Sequence, residues 1–209
     1  MKITIIGAGN MASGLVKQLA AAGHQIRVTA RSNDKAQALA NAYPNVDAAP
    51  AAEALGQSEV VIVATAYADA VPALRALGDL RGKIVVDITN PLTADYMGLT
   101  LGHTTSAAEE IARAVPGADV VKAFNTVFAQ VLANGPKLAG GEQVPVFYAA
   151  DSERARQTAR ALIESIGFKP VDAGGLKNAR YLEPLAGLNI YLGYGAGLGT
   201  GIAPAWIGA

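Results

Sequence analysis

The chain has 209 residues, 51% of them hydrophobic, which is enough to bury a sizeable core in one large domain or in a main domain with a small appendage. Seventeen basic and seventeen acidic residues balance, so no net charge attracts nucleic acid or an anionic membrane, and we expect a small-molecule partner. The absence of cysteine excludes disulfides, thiolate metal sites and cysteine nucleophiles, and two histidines are too few for a typical histidine metal site.

A glycine-rich loop follows the first predicted strand. Residues 2–6 form a β-branched run typical of a buried strand, and residues 13–22 have a helical pattern. Between them lies Gly-x-Gly-x-x-Ala, in which the first glycine permits a sharp turn, the second leaves room for a pyrophosphate, and the alanine lets the helix pack closely. This order of strand, loop and helix predicts a dinucleotide site at the helix N-terminus. Its candidate contacts are Gly7, Gly9, Asn10, Met11 and Ala12.

The second predicted strand, residues 25–30, ends without the Asp or Glu that commonly binds a ribose 2′-hydroxyl about 20 residues after the glycines. Arg31 can pair with a 2′-phosphate, Ser32 can donate a hydrogen bond, and Lys35 can add a positive charge. These residues favour NADPH over NADH. The alternative is that Arg31 and Lys35 are ordinary solvated charges around a helix start capped by Ser32 or Asn33.

Apolar runs alternate with helical patterns along the rest of the chain, which predicts a Rossmann-type, doubly wound, mainly parallel α/β sheet of about eight strands. Further strands are predicted at residues 46–48, 59–64, 83–87, 119–123, 144–149 and 168–171. Further helices are predicted at residues 35–43, 51–55, 67–77, 106–114, 152–166 and 176–194. We predict an NADP-binding domain at residues 1–172 and a small C-terminal helix with a glycine-rich tail at residues 173–209, covering the cleft or a dimer interface.

Ligands of doubly wound sheets bind beyond the carboxyl ends of the strands, so the residues after each predicted strand are further candidates. Small residues at positions 64–66 would let the nicotinamide ribose and the phosphates approach the backbone, and Tyr67 could stack on a ring or donate a proton. Asn90 and Asn125 could satisfy a carboxamide, although each alone is more typical of a turn. The candidates at these strand ends are Ala64, Thr65, Tyr67, Asn90, Pro91, Ala123, Asn125 and Thr126.

No side chain has the signature of a catalytic acid or base, and we assign no catalytic residue. His24 lies in a turn at the opposite end of the sheet, where a structural role is expected. His103 could approach the site or lie in a surface loop, and Lys122 lies within a strand and could point either way. Such a site suits direct hydride transfer between two flat heterocycles held face to face, because orientation does most of the work.

Two acidic side chains have structural interpretations. Glu109 lies at the capping-box spacing from Ser106 and is expected to cap a helix rather than to catalyse. Arg180 and Glu183 lie three residues apart in a helical pattern, which predicts an ion pair on one helix face.

The two ends of the chain carry further expectations. No charged-then-apolar leader precedes the first strand and no apolar run reaches about 18 residues, so we expect a cytoplasmic protein without a membrane span. Residues 193–209 contain glycine at 193, 195, 197, 199 and 201, but also apolar side chains that are costly to leave in water. We therefore expect this tail to pack over the cofactor cleft or on another subunit.

Several of these segments resemble the NADPH-dependent reductases of the deazaflavin coenzyme F-420, whose nucleotide-binding domain is also similar to the cytoplasmic part of six-transmembrane ferric reductases. The similarity runs through nearly the whole chain. Its marks are residues 7–12, 30–32 with 35, 105–109, 124–126 and 172–185. The resemblance implies NADP(H) at the sheet edge, a deazaflavin or flavin-like co-substrate in a cleft covered partly by the C-terminal segment, and a homodimer.

On matching positions, the resemblance implies that Arg31 and Lys35 hold the 2′-phosphate, and that residues 125–127 and 197–201 frame the second ring. The chain departs from the family at residues 125–128, where the reductases have His-Thr-Ile-Pro, and in a longer tail. We therefore expect an NADPH-dependent oxidoreductase with a deazaflavin or flavin-like acceptor. The alternatives are a reductase of a small imine or keto acid, which usually has a larger helical second domain, and an NADPH-binding sensor without turnover.

Overall fold

One central sheet organises the molecule. The computed structural model describes residues 1–207, so Gly208 and Ala209, the end of the predicted tail, lie outside the described residues. Within residues 1–207 there are eight strands: β1 Lys2–Ile6, β2 Gln25–Thr29, β3 Val46–Ala48, β4 Val60–Val63, β5 Ile84–Asp87, β6 Asp119–Ala123, β7 Pro145–Ala150 and β8 Lys169–Asp172. They lie in the order β3-β2-β1-β4-β5-β6-β7-β8, and adjacent strands run parallel except β6 and β7. The predicted doubly wound, mainly parallel α/β sheet is confirmed.

Helices connect the strands and cover both faces of the sheet. They are α1 Asn10–Ala21, α2 Asn33–Ala40, α3 Ala51–Ala54, α4 Tyr67–Ala76, α5 Ala107–Ala114, α6 Ala129–Asn134, α7 Glu153–Ser165 and α8 Ala179–Ile190. Three of them begin at a serine whose side-chain oxygen accepts a hydrogen bond from the backbone amide three residues later, at Ser32, Ser106 and Ser152. These caps satisfy amides that the first helical turn leaves unpaired.

The helix boundaries differ from the prediction mainly in four places. Helix α2 runs over Asn33–Ala40 rather than over residues 35–43. Helix α1 begins at Asn10 rather than at residue 13, because Gly9 is its N-cap. Helix α6 has six residues and was not predicted. The helix predicted at residues 176–194 is a 3₁₀ turn at Leu176–Asn178, then α8, then one π-helical turn at Tyr191–Gly195.

Successive side chains of each strand point to opposite faces of the sheet, and each face carries its own hydrophobic core. Ile5 and Ile62 pack into one cluster with Leu15 of α1, whereas their chain neighbours Ile6 and Val63 pack into the other. Successive strand residues point to opposite faces, so both faces are buried beneath helices. Each fully buried aliphatic side chain of this kind stabilises the fold by about 1.5–3 kcal/mol.

The C-terminal segment packs against the sheet only in part. Leu182 of α8 packs with Phe147 and Ala149 of β7, and Ile202 packs against the main core. The Trp206 ring meets Phe147 edge-on at 5.4 Å between ring centroids. Other apolar side chains of the tail remain exposed, including Leu198 and Ile207. The division of the chain near residue 172 into two domains stays a prediction. Among residues 1–207, no helix is both long and apolar enough to span a bilayer.

Candidate functional site

A cleft of about 1120 Å³ opens at the carboxyl ends of β1, β4, β5 and β6. Its walls are the loops that follow these strands, the loop near Tyr96, and the inner face of α8 with Tyr194. Parallel strands bring their carboxyl ends to one edge of the sheet, so segments distant in sequence meet here. The cleft wall unites nine of the predicted contacts: Gly9, Asn10, Met11, Ala64, Thr65, Tyr67, Asn90, Asn125 and Thr126.

The other predicted contacts lie outside this wall. Gly7 directly follows β1, Ala12 and Ala123 are buried in the main hydrophobic core, and Pro91 adjoins Asn90. The remaining three, Arg31, Ser32 and Lys35, lie just beyond β2 and in the start of α2. Residues 197–201, which were expected to frame the second ring, are not part of the wall either, because among residues 1–207 none after Tyr194 lines the cleft.

The glycine loop leaves space where an anion can lie. A Cβ built on Gly9 would have no atom within 4 Å, although Gly9 belongs to the cleft wall. Helix α1, which is described over its whole length, has no side-chain cap and no acidic residue in its first turn. Its free amides and the positive end of its dipole therefore point to open space, which fits a pyrophosphate.

The residues after β2 are exposed and loosely paired. Arg31 has a side chain that is 89% exposed and lies 3.4 Å from the carboxylate of Asp69 in α4. The Ser32 oxygen accepts a hydrogen bond from the Lys35 amide at 3.3 Å, so Ser32 caps α2, as the alternative interpretation expected. The cap uses a lone pair of the hydroxyl oxygen, and the hydroxyl proton is left to donate to a ligand.

Two asparagines join the loops after β5 and β6. The Asn90 side-chain amide donates to the Asn125 carbonyl at 2.9 Å, and the Asn125 amide donates to the Asn90 side chain at 3.0 Å and to the Leu182 carbonyl at 2.9 Å. Within residues 1–207, three buried polar side-chain atoms have no partner: Thr89 Oγ1, Asn125 Oδ1 and Thr126 Oγ1.

All three of these residues belong to the cleft wall. A buried polar atom without a partner costs about 1–3 kcal/mol, so this part of the wall fits a ligand that both donates and accepts hydrogen bonds, such as a carboxamide. Sequence reasoning missed Thr89. Its position two residues after β5, beside Asn90, was the available signal.

Behind this wall lies a buried ionic cluster of Lys122, Asp87 and Glu183, called the Lys122 cluster below. Lys122 Nζ lies 2.7 Å from Asp87 Oδ2 and 2.8 Å from Glu183 Oε1, and none of the three side chains is more than 2% exposed. Lys122 also donates to the Thr89 carbonyl at 2.7 Å. The strand register pairs Asp87 with Lys122, so the side chains meet across β5 and β6.

The predicted pair between Arg180 and Glu183 is wrong. Glu183 turns inward to Lys122, because a buried ammonium requires a counter-charge. Arg180 instead donates to Glu109 of α5 at 2.7 and 2.9 Å. This hydrogen bond from Arg180 lowers the pKa of Glu109. The Ser106 hydroxyl also donates to the Glu109 carboxylate at 2.8 Å, and the Glu109 amide donates to the Ser106 oxygen at 3.2 Å, so Ser106 caps α5 and the Glu109 carboxylate holds the Ser106 hydroxyl rather than capping the helix itself.

Aromatic side chains line the outer part of the cleft. Phe128 and Tyr194 meet edge-to-face with ring centroids 5.8 Å apart. Tyr67 stands at the start of α4, and burial raises the pKa of its phenol, with Glu110, Glu183 and Asp87 adding to the rise. Tyr67 therefore stays protonated at neutral pH and keeps a hydrogen-bond donor in the cleft.

Both histidines lie away from the cleft wall. His24 Nδ1 is 3.0 Å from the N-terminal amine and Nε2 is 2.8 Å from Ser165 Oγ, which confirms the structural role expected for His24. His103 is exposed in the loop before α5. In the described part of the chain, no group of three or more potential side-chain ligands could hold a metal ion.

Comparison with known proteins gives consistent matches. The family model described as NADP oxidoreductase, coenzyme F420-dependent, matches residues 2–91. The chain is 30% identical to the F420-dependent NADP reductase of Methanothermobacter marburgensis, with 92% of each chain covered. A solved structure of a candidate F420-dependent NADP reductase from Arthrobacter sp. FB24 superposes with a TM-score of 0.87, at 30% identity, over 99% of this chain and 100% of that one.

Two further similarities are narrower. The chain is 33% identical to Metalloreductase STEAP3 of Rattus norvegicus over 88% of its own length, but it spans only 36% of that relative. An imine reductase from Aspergillus terreus has a TM-score of 0.69 at 20% identity, over 94% of this chain and 63% of that chain, which shows a shared fold.

Proposed function

This chain belongs to the coenzyme F420-dependent NADP reductase family of NADP-dependent oxidoreductases, and from that premise we propose that it transfers hydride between NADP(H) and a deazaflavin or flavin-like acceptor. One observation carries the proposal. A single cleft joins an open anion site over Gly9 to a wall in which Thr89, Asn125 and Thr126 each hold an unpartnered polar atom. This combination suits a dinucleotide whose far end carries an amide.

Different residues of the proposed site would hold different parts of NADP(H). The α1 amides and the loop at Gly9 would hold the pyrophosphate, and Arg31 with Lys35 would hold the 2′-phosphate. Bound NADPH would supply the hydride. The full proposed set is Gly7, Gly9, Asn10, Met11, Ala12, Arg31, Ser32, Lys35, Ala64, Thr65, Tyr67, Asn90, Pro91, Ala123, Asn125 and Thr126.

The rest of the cleft supports a flat acceptor. Its wall includes Tyr96, Met97, Phe128 and Tyr194, so a planar ring can be sandwiched between aromatic and thioether side chains. A ring that accepts hydride at a ring atom needs orientation against the donor more than a protein acid. Residues 125–128 read Asn-Thr-Val-Phe, whereas the deazaflavin reductases that this chain resembles have His-Thr-Ile-Pro there. Because of this difference we include flavins as acceptors beside the deazaflavin.

Stopped-flow spectroscopy tests this function. Purified protein is loaded with NADPH and mixed with oxidised deazaflavin, then with riboflavin or FMN, and then with a ferric chelate, while the loss of NADPH absorbance is followed. We expect rapid oxidation by the deazaflavin or by a flavin. Tight NADPH binding without oxidation by any of these acceptors would instead favour a sensor, and oxidation only by a cyclic imine or a keto acid would favour the other reductase class.

A homodimer is part of the same proposal. The outer face of α8 and of the π-helical turn that follows it exposes Tyr181, Leu188 and Tyr191, spaced so that they share one side. Single exposed apolar residues are ordinary, but several large ones on one helix face indicate an interface. A second copy of the chain is the partner that we propose for this face. The cytoplasmic location stays a prediction.

A further inference from the structure

The Lys122 cluster is buried, charged and unused by the proposed cofactor contacts. The three N–H donors of the Lys122 ammonium have three acceptors, on Asp87, Glu183 and the Thr89 carbonyl. Every hydrogen-bond partner found for the two carboxylates is a donor: Asp87 also accepts from the Thr89 amide at 2.8 Å, and Glu183 from the amides of residues 107 and 108 at 2.9 and 3.2 Å. Neither carboxylate therefore has an acceptor for a proton of its own, and both are ionised.

Two carboxylates and one ammonium leave the Lys122 cluster with a net charge of −1. The amides that contact Glu183 belong to the N-terminus of α5, whose dipole corresponds to about half a positive charge at most. The dipole therefore offsets the net charge only in part. A buried charge is screened weakly by solvent, so its field extends into neighbouring space.

The cluster lies directly behind the cleft wall. Thr89 connects the cluster to the cleft. Its backbone carbonyl accepts a hydrogen bond from Lys122, and its side-chain hydroxyl, which lacks a partner, belongs to the cleft wall. The Tyr67 phenol, on the wall itself, responds to the charges of the cluster and also to Glu110, which lies outside the cluster. After burial, the negative charges of Glu110, Glu183 and Asp87 raise its pKa, and the opposing effect of Lys122 comes last. Because the Lys122 cluster has a net charge of −1 and lies directly behind the wall, its field at the wall is negative.

We propose that the net negative charge of the Lys122 cluster stabilises the oxidised, cationic nicotinamide ring over the reduced, neutral one, and so makes bound NADPH a stronger hydride donor. When a hydride leaves with its two electrons for the acceptor ring, the nicotinamide ring gains one positive charge, and the reduced acceptor takes a proton from solvent. One unit charge at ~10 Å, with an effective dielectric constant of ~20, changes the relative affinity for the two forms about tenfold. This inference rests on the proposed function.

Equilibrium titration of the unaltered protein is the first test. Dissociation constants for NADP⁺ and NADPH are measured separately in the absence of any acceptor. We expect NADP⁺ to bind more tightly than NADPH. Tighter binding of NADPH would overturn the inference, whereas failure to bind either nucleotide would overturn the proposed function instead.

Glu183→Gln removes one negative charge and retains one of the two oxygens that accept hydrogen bonds from the α5 amides. We expect NADP⁺ affinity to fall about tenfold relative to NADPH affinity, which corresponds to a rise of ~30 mV in the midpoint potential of the bound two-electron couple. Asp87→Asn removes one negative charge of the cluster from β5 rather than from α8, and it replaces Glu183→Gln if that variant does not fold. An affinity ratio unchanged from the unaltered protein, in a folded variant that binds both nucleotides, would overturn the inference.

Glu153→Gln is the matched control. Glu153 is an exposed carboxylate in α7 that pairs with Arg156, and it lies outside the cleft wall. We expect this variant to keep the affinity ratio of the unaltered protein, because solvent screens a surface charge. A merely structural role of Glu183 would weaken both nucleotides together and leave their ratio unchanged.

Discussion

At Gly7 the chain turns with a φ of +124°, and a Cβ there would overlap the carbonyl oxygen of Ala64. The position therefore requires glycine both for its backbone conformation and for the close approach of β1 and β4. Gly9 differs, because its backbone is extended and a Cβ would meet no atom. Its glycine is explained by the open space over the loop, which a pyrophosphate would occupy.

Arg31 carries the prediction for cofactor choice. We expect Arg31→Asp to lower NADPH affinity about 10–100-fold and to improve NADH affinity, because a charge-assisted contact to the 2′-phosphate is lost and a carboxylate that can accept from a 2′-hydroxyl is gained. Fluorescence titration with both nucleotides measures the change.

Asp69→Asn is the control for the Arg31 variant. It removes the carboxylate that lies 3.4 Å from Arg31 and frees the guanidinium. We expect NADPH affinity to stay equal or to rise in this variant. Unchanged NADPH affinity in Arg31→Asp, with no gain for NADH, would contradict the assignment of the 2′-phosphate end.

At the scale of elements, α5 and α8 are joined by polar contacts as well as by packing. The Arg180 guanidinium of α8 donates twice to Glu109 of α5, and Glu183 accepts from the first amides of α5. Helix α8 thereby ties the outer helix α5 to the buried Lys122 in β6. The loops after β5 and β6 contact these elements through the Thr89 carbonyl, which accepts from Lys122, and through Asn125, which donates to the Leu182 carbonyl.

The pair of Glu109 and Arg180 predicts a pH dependence of stability. The fold lowers the pKa of Glu109, so its stabilising effect is complete above the ordinary glutamate pKa of about 4.3 and is lost as pH falls through the lower, folded-state value. At pH 7, we expect Glu109→Gln to lower the melting temperature by about 2–4 °C. The difference from the unaltered protein should shrink as the pH is lowered below about 4. Differential scanning calorimetry across this pH range measures both effects.

Glu110→Gln provides the comparison on the same helix. Glu110 pairs with Arg113 at the surface, where both side chains are well exposed, so its removal should change stability less. The assigned role of the pair would be contradicted if the two variants lowered the melting temperature equally at pH 7. It would also be contradicted if Glu109→Gln still lowered the melting temperature by the same amount in acid.

For the whole molecule, the exposed face of α8 predicts the oligomeric state. We expect the protein to sediment as a dimer, and Leu188→Glu to sediment as a folded monomer, because a charge on this face would be buried without a partner. Sedimentation velocity measures the mass, and circular dichroism checks the fold.

Ala42→Glu places the same charge at an exposed turn between α2 and β3, and it should leave the dimer intact. A monomeric unaltered protein, or a Leu188→Glu variant that remains dimeric, would contradict the assignment of this face.

The strands were predictable from local pattern. All eight were expected within one or two residues of their observed ends, because β-branched runs and the turns that bound them are local properties. Helix α6 was missed for the same reason. It has six residues and no periodic signal, and it is held by packing on α1, where Gly14 lets Leu132 approach closely.

The sequence by itself determined the doubly wound sheet, the glycine loop and the set of strand ends from which a cleft is built, since these depend on residues near one another in the chain. Only the tertiary structure decided that Lys122 points inward, that Glu183 meets it instead of Arg180, and that Thr89 keeps an unpartnered hydroxyl in the wall. The physical reason is burial. A charge taken from water must find its partner among whatever side chains the fold brings together, and those lie 35 and more residues apart in this chain.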